Sequence, residues 1–364
     1  MIKKRGSIEI QFNWIFILIA GMIILGFFLS IVNKQKHIAE DQISASIRIN
    51  LGAVLTGTSA ARDTASRINI PNIDIIYDCD GYIIGRADAI RAKTSFAPSL
   101  VKGPVIISWT RDWYMPFRVT HFLYITSPFI KYIFVRDTAG VAEYVYNALP
   151  NRTIMDKGEV KAFFSKELVD FSKINEIKDQ NHYKVRFIFF GDNPKDADIE
   201  SLFGGLKNKD FTAVKIDANG ISDLNGVGKL TFYVKKMGGF KEISGVSESA
   251  YIGEASAFGA IFADDPETYN CNMQRAFNTF KLVNTIYFEK VKGLKEDSQT
   301  HGDAGCQDPY THAMGHLEAL NTNIPYVKLG YTESGQISSW ILTPADLISA
   351  ENENALYKSC PAIY

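Results

Sequence analysis

Four cysteines in 364 residues are too few for a small disulfide-dense scaffold, and no repeat or low-complexity tract marks the chain as fibrous or disordered. A dominant charge is missing too. With 39 basic and 40 acidic residues the net charge is -1, so there is no global basic field to hold nucleic acid, and no nucleic-acid partner is expected. The chain has no P-loop, no G-x-G-x-x-G after a strand, no H-E-x-x-H and no G-x-S-x-G, and Gly226-Val227-Gly228-Lys229 is too short to cradle phosphate. Long apolar runs are confined to one. What is present is core material: 46% hydrophobic residues, with 24 Phe and 17 Tyr, enough for a large folded body.

The single long run is at the start. Trp14 to Val32 carries nineteen consecutive uncharged residues, and Phe12 and Asn13 extend it. At about 1.5 Å per residue such a helix nearly spans a hydrocarbon core of roughly 30 Å, so residues 12–33 are predicted to cross a lipid bilayer. Lys3, Lys4 and Arg5 precede it against Glu9 alone, whereas Lys34 and Lys36 are offset by Glu40 and Asp41. The basic excess places residues 1–11 in the cytoplasm and the rest outside. Ile43, Ile47, Leu51, Val54 and Leu55 then recur at helical spacing, which predicts an amphipathic stalk over 34–60. Its apolar stripe docks on its own domain or packs on neighbouring copies.

Lys3-Lys4-Arg5-Gly6-Ser7-Ile8-Glu9, leading straight into the apolar helix, resembles the class III leader of type IV pilin-like proteins. The resemblance covers about thirty residues and implies cleavage after Gly6 and assembly through the helix. Glu9 would stand at the third mature position, where that family has its acidic residue at the fifth. The same segment is also similar to the start of uncharacterised archaeal single-pass proteins.

Beyond the stalk the pattern alternates. Short β-rich runs at Ile73–Tyr77, Tyr82–Ile84, Val105–Trp109, Tyr132–Val135, Val185–Phe190, Phe211–Ile216 and Leu230–Val234 are interleaved with helical stripes. Helices are predicted after Thr138 up to Pro150, over 160–177, and from Asn193-Pro194 through Leu206. Further on, Asp265-Pro266 and Asp308-Pro309 each signal a helix start, 294–305 is expected to be a loop, and a last helix is expected near 344–357. The fold class is therefore α/β: a mixed or largely parallel sheet with flanking helices over 70–240, and a mostly helical layer over 241–364 packed on it.

Cys79, Cys271, Cys306 and Cys360 all fall outside the membrane in this orientation, so two disulfides are expected. Of three connectivities, Cys271–Cys306 with Cys79–Cys360 is favoured because it would limit fraying of the C-terminal tail. Asn151-Arg152-Thr153 is a glycosylation sequon.

Two constellations could carry chemistry. Ile75-Ile76-Tyr77-Asp78-Cys79-Asp80-Gly81 reads as a strand followed by D-x-D-G, Ile106-Ile107-Ser108 as a strand ending in a hydroxyl, and Phe187 to Asp196 as a strand followed by G-D-x-x-x-D. In that order they resemble the haloacid-dehalogenase-like phosphatases. The resemblance implies Asp78 as nucleophile, Asp80 as acid/base, Ser108 on phosphate, and Asp192 with Asp196 on Mg²⁺, with Lys157, Lys161 or Lys166 as the cation. The competing assignment for these aspartates is turn chemistry at strand ends. Tyr82 stands where that family has Thr or Val. The second set is His312 and His316, four apart on a predicted helix, with His301 or Asp303 as further metal ligands. On a helical wheel both histidines leave the apolar face, which also fits plain surface residues. Trp109, Trp113, Tyr114 and Phe117 either line a groove or pack a core.

The expected protein is a single-pass surface binding or assembly component needing no cofactor. The alternatives are a pilin-like subunit self-associating through its stalk, or a tethered phosphohydrolase requiring Mg²⁺.

Overall fold

The computed structural model describes residues 14–35, 52, 57, 63–84, 94–150, 153–156, 159–177, 181–194, 206–237, 239–245 and 248–364. Helix α1, Trp14–Gln35, contains an 18-residue stretch of mean hydropathy 3.0 with 0% of its residues buried, so it is long and apolar enough to cross a membrane and stands free of the folded body. The predicted stalk stripe lies outside the described residues. At Gly52 an added β-carbon would meet Tyr82 Oη at 3.3 Å, so the chain beyond α1 passes against the body there.

Two sheets follow. The first contains β1 (Ala65–Asp78), β2 (Gly81–Ile84), β3 (Ser95–Phe96), β4 (Leu100–Tyr114) and β5 (Arg118–Thr126), in the order β2-β1-β4-β5-β3. It is antiparallel except where β3 joins β5. The second is mixed. β6 (Ile130–Val135), β9 (Lys166–Val169), β10 (Lys184–Phe190) and β11 (Phe211–Ile216) are parallel in the order β9-β6-β10-β11. The antiparallel strand β12 (Val227–Lys236) continues the sheet and pairs with both β13 (Gly239–Glu242) and β14 (Glu248–Ile252). Helix α2 (Val141–Ala148) and the hairpin of β7 (Thr153–Asp156) and β8 (Glu159–Ala162) lie between β6 and β9.

Helix α3 (Glu254–Phe262) is buried all round, which a helix with apolar residues on every face requires. It joins the sheets: Phe262 lies 5.2 Å from the ring of Tyr124 on β5 and 5.6 Å from that of Tyr132 on β6. Helix α4 (Pro266–His301) starts where Asp265-Pro266 places it, the Asp265 carboxylate accepting the Thr268 N–H at 2.8 Å. Its Met273, Phe277 and Phe280 pack with Trp113 on β4 and Phe117 in the β4–β5 turn. Helices α5 (Ala304–Asn323), α6 (Ser334–Ile337) and α7 (Thr343–Tyr357) complete the C-terminal layer, which shares this core. The α/β class with an added helical layer is therefore what the chain adopts.

Four expectations need correction. Residues 160–177 form part of β8, then β9, then a 3₁₀ turn over Phe171–Glu176. Phe164 packs on Tyr132 and Phe262 on one side of the sheet, while Val169 and Ile174 join the cluster on the other, so apolar residues serving two faces imitate a helical stripe. The expected loop at 294–305 is helical on both sides of Gly302, whose φ of 77° ends α4; α5 then begins at Ala304 and carries Pro309 inside it. Helix α2 begins two residues later than Thr138 as cap would place it: Gly140 is the N-cap residue, and the Asp137 carboxylate accepts the N–H groups of Val141 and Ala142 in the first turn. Finally, the disulfides are Cys79–Cys271 and Cys306–Cys360, not the favoured pairing. The first ties the β1–β2 turn to α4, and the second ties α5 to the tail after α7. The helix predicted from Asn193-Pro194 and the start of the sequon lie outside the described residues.

Candidate functional site

The aspartates at strand ends are placed apart. Asp78 closes the β1–β2 turn: its Oδ1 accepts the backbone N–H of Asp80 at 2.8 Å and of Gly81 at 3.1 Å, while Asp80 points to solvent. Ser108 is fully buried in β4 opposite Ser66, and its Oγ has no hydrogen-bond partner among the described residues. Asp192 follows β10 in the second sheet, in a turn made by Gly191 at φ 69°, and Asp196 lies outside the described residues. The strands bearing Asp78 and Asp192 thus belong to different sheets, and Asp78 ends one strand of an antiparallel hairpin. Lys166 donates to the Leu149 carbonyl at 3.2 Å beyond the end of α2, and burial lowers its pKa to about 8. Lys157 and the side chain of Lys161 lie outside the described residues.

Of the histidines, His301 ends α4, while His312 and His316 lie four apart on α5. His312 Nδ1 is 3.2 Å from the Glu351 carboxylate on α7, and His301 Nδ1 is 3.1 Å from Asp297 within α4. His316 is half-buried on α5. Among the described residues no group of three or more His, Cys, Asp or Glu side chains is placed to hold a metal. Of the aromatic cluster, Trp109, Trp113 and Phe117 are core, Trp113 donating Nε1–H to the Ile252 carbonyl at 2.8 Å, whereas Tyr114 stays 51% exposed.

The parallel strands make a topological switch between β6 and β10, the place where open α/β sheets commonly bind ligands. Here the donors are already used. The Asp137 carboxylate accepts the N–H groups of Ala139, Val141 and Ala142 at 3.0, 3.2 and 2.8 Å, so the first turn of α2 is filled by the protein's own anion. Across the edge, Lys215 bonds Asn193 Oδ1 at 3.1 Å and Asp217 at 2.9 Å.

A cleft of about 400 Å³ is better equipped. The end of β4 contributes Arg111, Asp112 and Tyr114, the start of α3 contributes Glu254, and Asp63 and Asn225 line the mouth. Alternation along β4 turns Arg111 toward α3, where its guanidinium lies 4.9 Å from the Phe258 ring centre and 5.8 Å from that of Trp109. Its Nη2 pairs with Glu254 Oε2 at 2.9 Å. Arg111 Nη1 and Glu254 Oε1 are both buried and have no hydrogen-bond partner among the described residues. Glu254 also bonds the Tyr144 hydroxyl, which raises the pKa of that tyrosine. On the rim, Arg118 holds Asp112 at 2.8 Å and the Tyr114 hydroxyl reaches Asp112 at 3.1 Å. The cleft thus holds a partly buried guanidinium–carboxylate pair in its wall, next to an exposed aromatic ring. Neither Arg111 nor Glu254 stands in a motif, so only the strand alternation of W-T-R-D-W carried a sequence signal.

No protein-family model, no curated protein and no solved structure matches this chain.

Proposed function

We propose that this chain is a single-pass membrane protein whose N-terminus is cytoplasmic and whose disulfide-tied α/β body serves outside the cell as a binding component. The observation that carries this is α1: a twenty-two-residue helix with an 18-residue stretch of mean hydropathy 3.0, none of whose residues is buried in the body. A core helix of that composition would be covered, and an apolar surface of this size in water is strongly unfavourable unless lipid takes it. Two disulfides fit an oxidising compartment, and the basic residues ahead of α1 fit cytoplasmic retention of the N-terminus. The Arg111–Glu254 cleft is the proposed ligand-facing pocket, for a small polar molecule that presents an acceptor to the guanidinium and a donor to the carboxylate.

An epitope tag appended after Tyr364 tests the topology. Staining of intact cells equal to that of permeabilised cells is expected; staining only after permeabilisation would overturn the orientation. The likeness to a class III leader adds a proposed cut after Gly6, which places Ser7 at the mature N-terminus by intact mass; retention of Met1 removes it.

A further inference from the structure

The two disulfides have different surroundings. Cys306 and Cys360 are 9% and 5% exposed and belong to the main core cluster, next to Tyr310, whose hydroxyl donates to the Pro361 carbonyl at 2.8 Å. Cys79 and Cys271 are only half-buried, lie in no core cluster, and together form part of the wall of a cavity of about 590 Å³. The cavity opens between the loop after β13, the first turn of α4 and Tyr331, which is itself exposed. A reagent entering it meets this disulfide; one approaching Cys306–Cys360 meets packed side chains.

We propose that Cys79–Cys271 is an exchange site for an external dithiol, while Cys306–Cys360 is a permanent staple. Two charged features shape the chemistry. Arg275, one helical turn beyond Cys271, donates from its guanidinium to the Cys79 carbonyl, and Cys271 Sγ lies 3.5 Å from that same oxygen, so a cation stands near the Cys271 sulfur when that sulfur leaves. A nearby cation stabilises a thiolate and makes it the better leaving group. Asp265 and Glu267 line the same cavity and repel an anionic thiol.

The thiolate of the incoming dithiol therefore attacks Cys79 Sγ, forming a mixed disulfide, and the Cys271 sulfur departs with the bond electrons and takes a proton from water. The second thiol of the partner, deprotonated, attacks the partner's own first sulfur in the mixed disulfide and releases Cys79, which takes a proton from water. Two electrons and two protons pass to the Cys79/Cys271 pair, and the dithiol becomes a disulfide. The structural result is local. The β1–β2 turn loses its covalent link to α4, while Asn272 Oδ1 on α4 still accepts the Ser95 N–H at 3.2 Å and Asp265 still caps the helix. The fitting partner is a dithiol protein with a neutral or basic surface around its reactive sulfur.

The full-length chain in detergent micelles would be treated with cysteamine, 2-mercaptoethanol or 2-mercaptoethanesulfonate at matched thiolate concentration, quenched, alkylated and peptide-mapped. Cys79 and Cys271 are expected to be alkylated at least about tenfold sooner than Cys306 and Cys360, with cysteamine fastest and the sulfonate slowest. Glu267→Gln is expected to narrow the gap between those two reagents. Opening of both bridges together, or of Cys306–Cys360 first, overturns the proposal. Equal rates for the three thiols overturn the charge selection. Neither result bears on membrane topology, so failure here is distinguishable from failure of the anchor.

Discussion

Lys184, at the start of the central strand β10, forms a buried ion pair with Asp264 in the turn between α3 and α4, eighty residues away. The same carboxylate accepts the Ser99 N–H at 2.8 Å and the Ser99 hydroxyl at 2.9 Å. Two residues along β10, Arg186 is fully buried and donates to the Ala260 and Ile261 carbonyls at 2.8 and 2.9 Å, closing the C-terminal end of α3. One cluster thus joins both sheets to the helix between them.

Asp264→Asn leaves Lys184 buried beside a neutral partner and is expected to cost about 3–5 kcal/mol in chemical denaturation, whereas replacing Lys184 and Asp264 together by Met and Leu recovers most of it. A loss no larger than that of a surface substitution would contradict the role given to the pair.

The pH dependence has a definite sign. Burial alone would raise the Asp264 carboxyl, but Lys184 and Arg186, with the Ser99 hydrogen bond, hold it below its ordinary value of 3.8. A carboxyl lowered on folding contributes stability that is present above the unfolded value and lost as the pH falls through the folded one. Wild type and Asp264→Asn are therefore expected to differ most above about pH 4 and to converge below it; a gap that widens in acid would reverse the sign.

Gly228 on β12 pairs directly across from Tyr251 on β14, and a β-carbon there would come within 2.3 Å of the ring. The Tyr251 hydroxyl donates to the Asp217 and Asp223 carbonyls at 3.2 Å, so the ring cannot swing away freely. Gly228→Ala is expected to lower stability by about 1–3 kcal/mol, and by clearly less in a Tyr251→Ala background; an equal effect in both backgrounds would show that the ring is not the obstacle.

Replacing Cys306 and Cys360 by Ala removes a link across 54 residues and is expected to cost about 2–4 kcal/mol. The tail after α7 also holds on through Asn352, whose Oδ1 accepts the Ile363 N–H at 2.7 Å, so faster amide exchange is expected to begin there. Unchanged stability would mean that the core alone fixes the tail.

The elements that were legible in sequence are those in which one local rule acts without competition. Nineteen uncharged residues leave α1 no alternative, Asp265-Pro266 marks the start of α4, and Val185 to Phe190 reads as a strand because both its faces are buried. Legibility failed where a segment serves two environments. Phe164 and Ile174 face opposite sides of one sheet, and the mixed spacing passed for a helix. Residues 294–301 looked like a loop because most of them face water, yet Ser298 is buried and the helix continues through them. Helix α3 had no stripe to detect, being covered on every side; Gly259 fits there because a β-carbon would meet the Phe96 ring at 2.9 Å. The disulfide pairing and the Arg111–Glu254 contact arise only when distant strands and helices meet, and residue spacing along the chain carries neither.

The most direct measurement is alkylation of the cysteines in intact cells with a membrane-impermeant maleimide, before and after an impermeant reductant, followed by peptide mapping. No cysteine is expected to be labelled before reduction; afterwards Cys79 and Cys271 are expected to react first, while the cells remain sealed. Labelling of all four cysteines without reduction, or only after lysis, would contradict an oxidised body outside the membrane.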